Sequence, residues 1–213
     1  MKKKIVLIGG GGHCKSVIDV IEQQNEFEIA GIIDVAEKLG TNVLGYKVFA
    51  TDNELDKLMS TYSYYHLTLG FIKPSAVRAN LFKKLKELGA QLPVIISPKS
   101  TVSKHAKIAE GSIIMHHAFV NAGAVIGANT IINTGAIVEH DALIGNNSHI
   151  STAAVINGDC VVGDNCFVGS NSVLVNAIKI GSDTIVGAGA VVHKNVDAGF
   201  CTVVGNPAMV VKK

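Results

Sequence analysis

Residues 126–150 read IGANTIINTGAIVEHDALIGNNSHI, in which an aliphatic residue stands at every sixth position. We predict that this period begins at Ile96 and holds to the end of the chain, with Ala198 as its one departure from Ile, Val or Leu. The series is Ile96, Val102, Ile108, Ile114, Val120, Ile126, Ile132, Val138, Ile144, Ile150, Ile156, Val162, Val168, Leu174, Ile180, Val186, Val192, Ala198, Val204 and Val210. A small residue precedes most of these by two positions, so both side chains point to the same side of a short strand. Such a period predicts a parallel β-helix, whose units bury their apolar faces only by stacking on one another.

The position after the aliphatic residue is often glycine, as at Gly127, Gly145 and Gly163. Glycine suits a bend in which a side chain would be crowded. Each hexapeptide is therefore interpreted as a short strand followed by a turn. An ordinary β-sandwich is the alternative, but its strands are longer and less evenly spaced.

Residues 1–92 follow a different pattern, because short apolar runs alternate with segments of helical period. The predicted strands are Lys4–Ile8, Glu28–Ile33 and Tyr64–Leu69. A first helix places on one face Val17, Ile18 and Ile21. A second helix begins at Pro74, ends at Gly89 and carries Val77, Leu81, Leu85 and Leu88. We expect a Rossmann-like α/β domain over residues 1–92 and a β-helix over residues 93–213.

The overall charge is nearly balanced, with 19 Lys and Arg against 17 Asp and Glu, and Arg78 is the single arginine. No basic stripe is available to follow a phosphate backbone, so nucleic acid is not an expected partner. No apolar run approaches the ~20 residues of a membrane-spanning helix. We therefore expect no membrane partner. The four cysteines form no C-x-x-C pair, which favours reduced thiols in a cytoplasmic protein and gives no sign of a metal site.

Two of the eight histidines occupy positions that suit proton transfer. His140 lies in the turn after a predicted strand, on the outside of the β-helix, between Glu139 and Asp141. A carboxylate bonded to its imidazole would fix the tautomer and raise the basicity, as a general base requires. His149 directly precedes an inward aliphatic residue and so points outward from its strand. On spacing alone, either histidine could also be an ordinary surface residue.

Four glycines, Gly9–Gly12, stand between the first predicted strand and the first helix. Free backbone N–H groups at the start of a helix favour an anion, so this loop could cradle a phosphate. A dinucleotide fingerprint fails, because Cys14 stands where its last glycine should be. A plain turn is the alternative interpretation.

Three sets of residues together resemble a known family. They are NTGAIVEHD at 133–141 with IG at 144–145 and SHIS at 148–151, GGGGH at 9–13, and VGNPA at 204–208. The pattern resembles the sialic-acid O-acetyltransferase-like family of hexapeptide-repeat acyltransferases, and within it the bacterial N-acetyltransferases of UDP-4-amino-4,6-dideoxy sugars in glycan synthesis. The resemblance implies a left-handed helix with three hexapeptides per coil and acetyl-CoA as co-substrate. It also implies a sugar-nucleotide acceptor and a homotrimer with sites between subunits.

The resemblance further implies roles for individual residues. His140 matches the general base and Asp141 the acidic residue that supports it, with Glu139 as an alternative support. The positions that match acetyl-CoA contacts are Asn133, His149, Gly158, Ser170, Gly187, Ala188, Val204 and Gly205. The positions that match sugar-nucleotide contacts are Gly11, Gly12, His13, Asp34 and Gly70. Cys14 and Val35 differ from the family pattern, where glycine and a second acidic residue are found, so the nucleotide stays open.

Several alternatives remain beside this interpretation. Cys160 and Cys166 occupy inward small-residue positions and are expected to pack there, although a covalent acetyl-cysteine is conceivable. His116 and His117 raise the question of a zinc hydratase such as the γ-class carbonic anhydrases, whose histidine spacing this chain lacks. The expected activity is acetylation of the 4-amino group of a nucleotide-linked amino-dideoxy sugar. The alternatives are O-acetylation of sialic acid or another sugar hydroxyl, and a non-catalytic scaffold that binds a nucleotide.

Overall fold

The computed structural model describes residues 2–73, 76–197 and 199–212. Pro74 and Ala198, which enter the predictions above, lie outside the described residues. The chain divides into two compact units, one of Met1–Gly70 with Ala76–Ile95 and one of Phe71–Ser75 with Ile96–Lys213.

The first unit is a small α/β fold, as predicted. Its elements are β1 (Lys3–Ile8), α1 (Gly12–Gln24), β2 (Phe27–Ile33), β3 (Asn42–Val43), β4 (Tyr46–Ala50), α2 (Leu55–Leu58), β5 (Tyr64–Leu67) and α3 (Ala76–Glu87), with 3₁₀ turns at Ala36–Lys38 and Asp52–Glu54. The sheet order is β3-β4-β2-β1-β5, and within this sheet the described strands pair in parallel except for β3 and β4, which are antiparallel. The strands β3 and β4 were not among the strands predicted from the sequence.

The burial of side chains on the two long helices agrees with the predicted apolar spacing in α1 but only in part in α3. In α1, Val17, Ile18 and Ile21 are fully buried, as their spacing predicts. In α3, Val77 lies on the helix as predicted but is 61% exposed, and its neighbour Arg78 is buried. The Arg78 guanidinium donates hydrogen bonds to the carbonyl oxygens of residues 67 and 69 at 2.9 and 2.8 Å. These carbonyls at the end of β5 compensate the cost of burying a charged side chain.

The second unit is a left-handed parallel β-helix of short strands. The strands are β6 (Ile95–Ile96), β7 (Thr101–Val102), β8 (Lys107–Ile108), β9 (Ile113–Ile114), β10 (Phe119–Val120), β11 (Val125–Ile126), β12 (Ile131–Ile132), β13 (Ile137–Val138), β14 (Leu143–Ile144), β15 (His149–Ile150), β16 (Val155–Ile156), β17 (Val161–Val162), β18 (Phe167–Val168), β19 (Val173–Leu174), β20 (Lys179–Ile180), β21 (Ile185–Val186), β22 (Val191–Val192), β23 (Thr202–Val204) and β24 (Met209–Lys212). Each strand pairs with the third strand along the chain, as Ile132 does with Ile150, so one coil takes 18 residues. This register confirms three hexapeptides per coil.

The strands form three sheets, one on each side of the prism. The first sheet has the order β22-β19-β16-β13-β10-β7, the second β20-β17-β14-β11-β8 and the third β24-β23-β21-β18-β15-β12-β9-β6. We call the turns from the third sheet to the first, residues 133–136, 151–154, 169–172 and 187–190, the first corner. The turns from the first sheet to the second, residues 139–142, 157–160 and 175–178, are the second corner.

The interior of the β-helix is filled by the predicted aliphatic series and by the small residues that alternate with it. Glycine is required where turns of successive coils stack at the ~4.8 Å strand spacing. A Cβ on Gly127 would lie 2.6 Å from the carbonyl carbon of Gly145, and one on Gly145 would lie 2.5 Å from that of Gly163. These contacts with backbone explain the glycine that follows the aliphatic residue.

The last coil departs from the period of six. Val186 pairs with Val203, so the interval there is 17 residues and the inward position falls on Val203, which is 1% exposed. The prediction that Val204 and Val210 point inward is wrong, because they are 38% and 48% exposed. The final strand, β24, runs antiparallel to β23 and ends the stacking. Within the described residues, no helix is long and apolar enough to cross a membrane.

His66 on β5 is fully buried in the first unit. Burial lowers the pKa of His66 to about 3, and the charges of Arg78 and His13 act in the same direction against a weaker opposing contact with the backbone of Pro93. The neutral ring is therefore part of the folded state, whereas the unfolded chain binds a proton near pH 6.5.

We predict that His66 makes folding stability fall as the pH falls below about 6.5, because only the unfolded state then gains the proton. Between pH 7.5 and 5.5 this amounts to about 1.4 kcal/mol of unfolding free energy. Urea unfolding at both pH values should show a pH dependence smaller by this amount in His66→Leu than in the wild type. The control His193→Leu alters an exposed histidine and should behave as the wild type, and an unchanged pH dependence in His66→Leu would contradict the prediction.

Candidate active site

A histidine–aspartate pair stands on the second corner, in the turn after β13. Nδ1 of His140 lies 3.0 Å from Oδ2 of Asp141, and the two side chains are 53% and 62% exposed. Asp141 has φ 61°, a left-handed conformation that aspartate adopts more readily than most residues. Because a carboxylate only accepts, Nδ1 carries the proton and Nε2 presents its lone pair.

The surroundings of this pair favour the protonated imidazole. The hydrogen bond to Asp141 raises the pKa of His140 above its ordinary value. Desolvation opposes this increase, and the charges of Asp141, Asp159 and Glu139 add to it. When it is neutral, near the upper end of the physiological pH range, His140 is thus a stronger base than a free histidine.

Glu139, the alternative support for the histidine, has a different partner. Its Oε2 accepts a hydrogen bond of 2.6 Å from Nδ2 of Asn121, which stands one coil earlier. The sequence analysis did not single out Asn121, although the 18-residue interval to Glu139 would have found it once the coil length was known. The geometry therefore pairs Asp141, and not Glu139, with His140.

Two glycines make room for the pair. A Cβ on Gly158 would lie 2.6 Å from Cε1 and 2.7 Å from Nε2 of His140, and a Cβ on Gly123 would collide with the Asp141 carboxylate. The imidazole of His140 thus packs directly against Gly158, where a larger residue would displace it. Its backbone N–H has no hydrogen-bond acceptor among the described residues. An N–H group beside a base is suited to a developing oxyanion.

His149 lies on β15 and points outward from the prism, as predicted, but it is only 7% exposed. Phe71 and Phe167 pack against its ring edge to face, with centroid distances of 5.5 and 5.3 Å. Nδ1 lies 2.8 Å from the carbonyl oxygen of Phe71, and Nε2 lies 3.0 Å from Nδ2 of Asn133. The sequence could not reveal this cover, because Phe71 is distant along the chain.

The other positions expected to contact acetyl-CoA lie mostly along one edge of the prism. The first corner carries Asn133, Ser170, Gly187 and Ala188, and Val204 and Gly205 extend it, since Gly187 stands beside Val204. The hydroxyl of Ser170 is 3.0 Å from that of Ser151. Gly158 belongs to the second corner with His140. Within one chain, the expected base and most of the expected cofactor positions therefore lie on different corners.

The glycine loop of the first unit joins β1 to α1. Gly11 and Gly12 are exposed, with no atom within 4 Å of an added Cβ, and Gly70 packs against His13, where an added Cβ would lie 3.3 Å from the histidine Cβ. The structure thus brings Gly11, Gly12, His13 and Gly70 to one end of this unit. The N-terminal end of α1 has no side-chain cap, which leaves its N–H groups available to an anion.

Asp34 belongs to the same end but is engaged within the protein. Oδ2 accepts hydrogen bonds from the N–H of Gly10 at 2.6 Å and from Nζ of Lys38 at 2.8 Å, and Oδ1 accepts from the N–H of Val35 at 2.8 Å. Burial alone would raise the pKa of Asp34, but the hydrogen bonds from Lys38, Val35 and Gly10 hold it below its usual value. This carboxylate fixes the shape of the glycine loop.

The thiols and the remaining histidines offer no second centre. Cys160 and Cys166 are fully buried in the β-helix, and burial raises the pKa of both thiols, that of Cys166 to about 12. Because burial favours the protonated thiols, neither cysteine is suited to act as a thiolate nucleophile. Nδ1 of His116 lies 2.6 Å from Oγ of Ser97. Over residues 2–73, 76–197 and 199–212, no group of three or more side chains could hold a metal ion.

Comparisons with known proteins match both units. The PglD N-terminal domain matches residues 4–85, the hexapeptide repeat of succinyl-transferase matches residues 120–152, and the six-repeat bacterial transferase hexapeptide matches residues 159–194. The solved structure of PerB from Caulobacter crescentus in complex with CoA and GDP-perosamine is 34% identical, with a TM-score of 0.89, over 97% of this chain and 96% of that one. The chain belongs to the hexapeptide-repeat acetyltransferases with a PglD-type N-terminal domain.

Further members of this family agree. The acetyltransferase domain of PglB from Neisseria gonorrhoeae FA1090, in complex with acetyl coenzyme A, is 31% identical with a TM-score of 0.89 and covers 99% of this chain and 100% of that one. A variant of the Caulobacter GDP-perosamine N-acetyltransferase is 33% identical with a TM-score of 0.92, over 99% of this chain and 97% of that one. A search of curated proteins gave no match. The protein is thus an acetyltransferase that uses acetyl-CoA.

We predict that Gly158→Ala abolishes most of the activity without unfolding the protein. The added Cβ would meet the ring of His140, a side chain at the surface that can swing away, while the N–H of residue 158 remains. Displacement of a base by about 1 Å costs roughly 100-fold in rate. Turnover and thermal unfolding of Gly158→Ala should be compared with those of His140→Ala.

The double variant His140→Ala/Gly158→Ala serves as the control. It should be no slower than His140→Ala, because the methyl group then has no ring to displace. A further loss in the double variant would show that Gly158 acts apart from the histidine.

Proposed function

We propose that the protein transfers the acetyl group of acetyl-CoA to the amino group of a nucleotide-linked amino-dideoxy sugar, at its 4-position, in bacterial glycan synthesis. The observation that carries this proposal is the His140–Asp141 pair over Gly158, in a chain whose two units both match the acetyltransferase family. The relatives with CoA and GDP-perosamine make GDP-perosamine the first acceptor to test. O-acetylation of sialic acid is not favoured, because the similar enzymes are N-acetyltransferases.

In the proposed mechanism, the amine nitrogen attacks the acetyl carbonyl carbon while Nε2 of His140 takes the amine proton. Asp141 holds the proton on Nδ1 and stabilises the imidazolium that forms. The N–H of Gly158 donates to the oxyanion of the tetrahedral intermediate. The carbon–sulfur bond then breaks, and CoA leaves with a proton from the medium or from His140. No covalent enzyme intermediate is needed.

The nucleotide is assigned to the first unit, residues 1–92 in the sequence interpretation. The N–H groups at the start of α1, with Gly11, Gly12 and His13, suit the diphosphate. Gly70 stands against His13 and would border the sugar. Asp34 acts there by holding Gly10 and Lys38, so we assign it a positioning role near the ribose or base.

The assembly we propose is a homotrimer with its sites between subunits. This is supported by the separation of the base on the second corner from Asn133, Ser170, Gly187 and Ala188 on the first. A neighbouring copy would bring one corner against the other, which a single prism does not do. A cytoplasmic location belongs to the same proposal, since the four cysteines, all among the described residues, are buried and form no disulfide.

The function is tested by incubation with acetyl-CoA and a panel of acceptors, with thiol release as the readout. The panel holds GDP-perosamine, UDP- and dTDP-linked amino sugars, CMP-sialic acid and free sialic acid. We expect turnover with an amino sugar, and a loss of about 10²–10⁴-fold in His140→Ala. His193→Ala, at an exposed histidine outside the site, should remain as active as the wild type. Turnover with sialic acid alone would contradict the amine acceptor.

The pH profile separates the two carboxylates that flank the base. Activity should rise with pH through the pKa of His140, which lies above 6.5, because only the neutral imidazole accepts the amine proton. Asp141→Asn should move this inflection of kcat/KM to lower pH and lower the plateau roughly 10-fold or more, because the tautomer is no longer held. Glu139→Gln, the matched control, should move it less. The reverse ranking would assign the support to Glu139.

A further inference from the structure

The hydrogen bonds of His149 determine where its proton sits. The carbonyl oxygen of Phe71, 2.8 Å from Nδ1, can only accept a hydrogen bond. Nδ1 therefore carries a hydrogen and donates it. Both groups belong to the second unit of the chain.

The other ring nitrogen faces a donor. Oδ1 of Asn133 accepts a hydrogen bond of 2.8 Å from the N–H of Thr134, which fixes the orientation of the amide and turns Nδ2 toward His149. Nδ2 lies 3.0 Å from Nε2 of His149, so an amide N–H donates to the imidazole lone pair. The ring is then the neutral Nδ1–H tautomer. Neither ring nitrogen has a proton left for an oxygen of a ligand.

The position of the ring is fixed as well as its protonation. Phe71 and Phe167 contact it edge to face from two directions, and only 7% of the residue is exposed. A flip of the imidazole would exchange carbon for nitrogen at both hydrogen bonds and leave buried polar groups unpaired. Asn133, in contrast, is half-buried on the first corner, and its amide has a second N–H.

We propose that His149 is a positioning residue, and that it holds Asn133 so that the second N–H of this amide donates to a carbonyl oxygen of acetyl-CoA. The inference rests on the proposed function for the identity of the ligand. It replaces the expectation that His149 itself contacts the thioester. In this arrangement the side-chain amide of Asn133 faces the thioester side of the cofactor, and the neutral His149 fixes the orientation of that amide.

The tautomer is tested by solid-state NMR of the full chain labelled with ¹⁵N-histidine and with ¹³C at the phenylalanine carbonyl. Dipolar coupling to the carbonyl of Phe71 selects the nitrogen of His149 without any substitution. At pH 7.5 we expect a protonated Nδ1 and an unprotonated Nε2. A protonated Nε2, in the opposite tautomer or in an imidazolium, would overturn the proposal.

Asn133→Asp provides a second arm of the same measurement. It puts an acceptor where Nε2 has a donor, so His149 should gain a proton and show two protonated nitrogens. An unchanged Nε2 signal would mean that Asn133 does not contact the ring as described. Neither result depends on turnover, so a failure of the proposed function leaves this test intact.

Kinetics then test whether His149 acts through Asn133. Asn133→Ala and His149→Phe should each lower kcat/KM for acetyl-CoA about 10-fold, with the KM of the sugar nucleotide unchanged. The double variant should lose no more than the worse single variant, because one contact is removed in each case. Losses that multiply to about 100-fold would show that His149 contacts the cofactor by itself. His193→Ala is the control for histidine replacement, and calorimetric binding of acetyl-CoA should give the same ranking of the variants if no acceptor is found.

Discussion

The pairing of residues 18 positions apart is the constraint on which the rest of the second unit depends. Each strand of two residues is too short to be stable alone, and its backbone N–H and C=O groups are satisfied only by the coils above and below. The same pairing sets the environment of the candidate base. It places Gly158 against His140, Gly123 against Asp141 and Asn121 beside Glu139. A change in coil length by one residue would break all three contacts.

Much of this arrangement was predictable, because it is periodic. The aliphatic series, the small inward residues and the outward turn of His140 follow from a period of six, and the resemblance to known acyltransferases supplied the coil length. The sequence interpretation made Gly158 a cofactor position, whereas in the structure this glycine also leaves space for the His140 imidazole that packs against it. This contact can be inferred only when the coil length is known, since residue 158 lies one coil after residue 140.

The features that could not be predicted from the hydrophobic spacing depend on long-range contacts or on local irregularities of the chain. Val77 has the right helical spacing for burial, but Arg78 finds two carbonyl acceptors at the end of β5 and takes the inward position. The short strands β3 and β4 were missed because they lie among exposed polar residues and glycines. His149 is on the predicted face, yet its cover by Phe71 depends on a segment that contacts the second unit although its chain neighbours belong to the first. The 17-residue interval before Val203 has no signal in the spacing of hydrophobic residues.

The antiparallel strand β24 has a consequence for the free end of the β-helix. An open prism ends in strands with unpaired backbone groups, and these could template the coil of another molecule without limit. On the third sheet, β24 occupies the position of the next coil while running in the opposite direction. The N–H and C=O groups of β23 that face this side are therefore paired within the chain. The turned-back strand therefore covers the last parallel strand of the third sheet with a segment of the same chain and ends the regular stacking there.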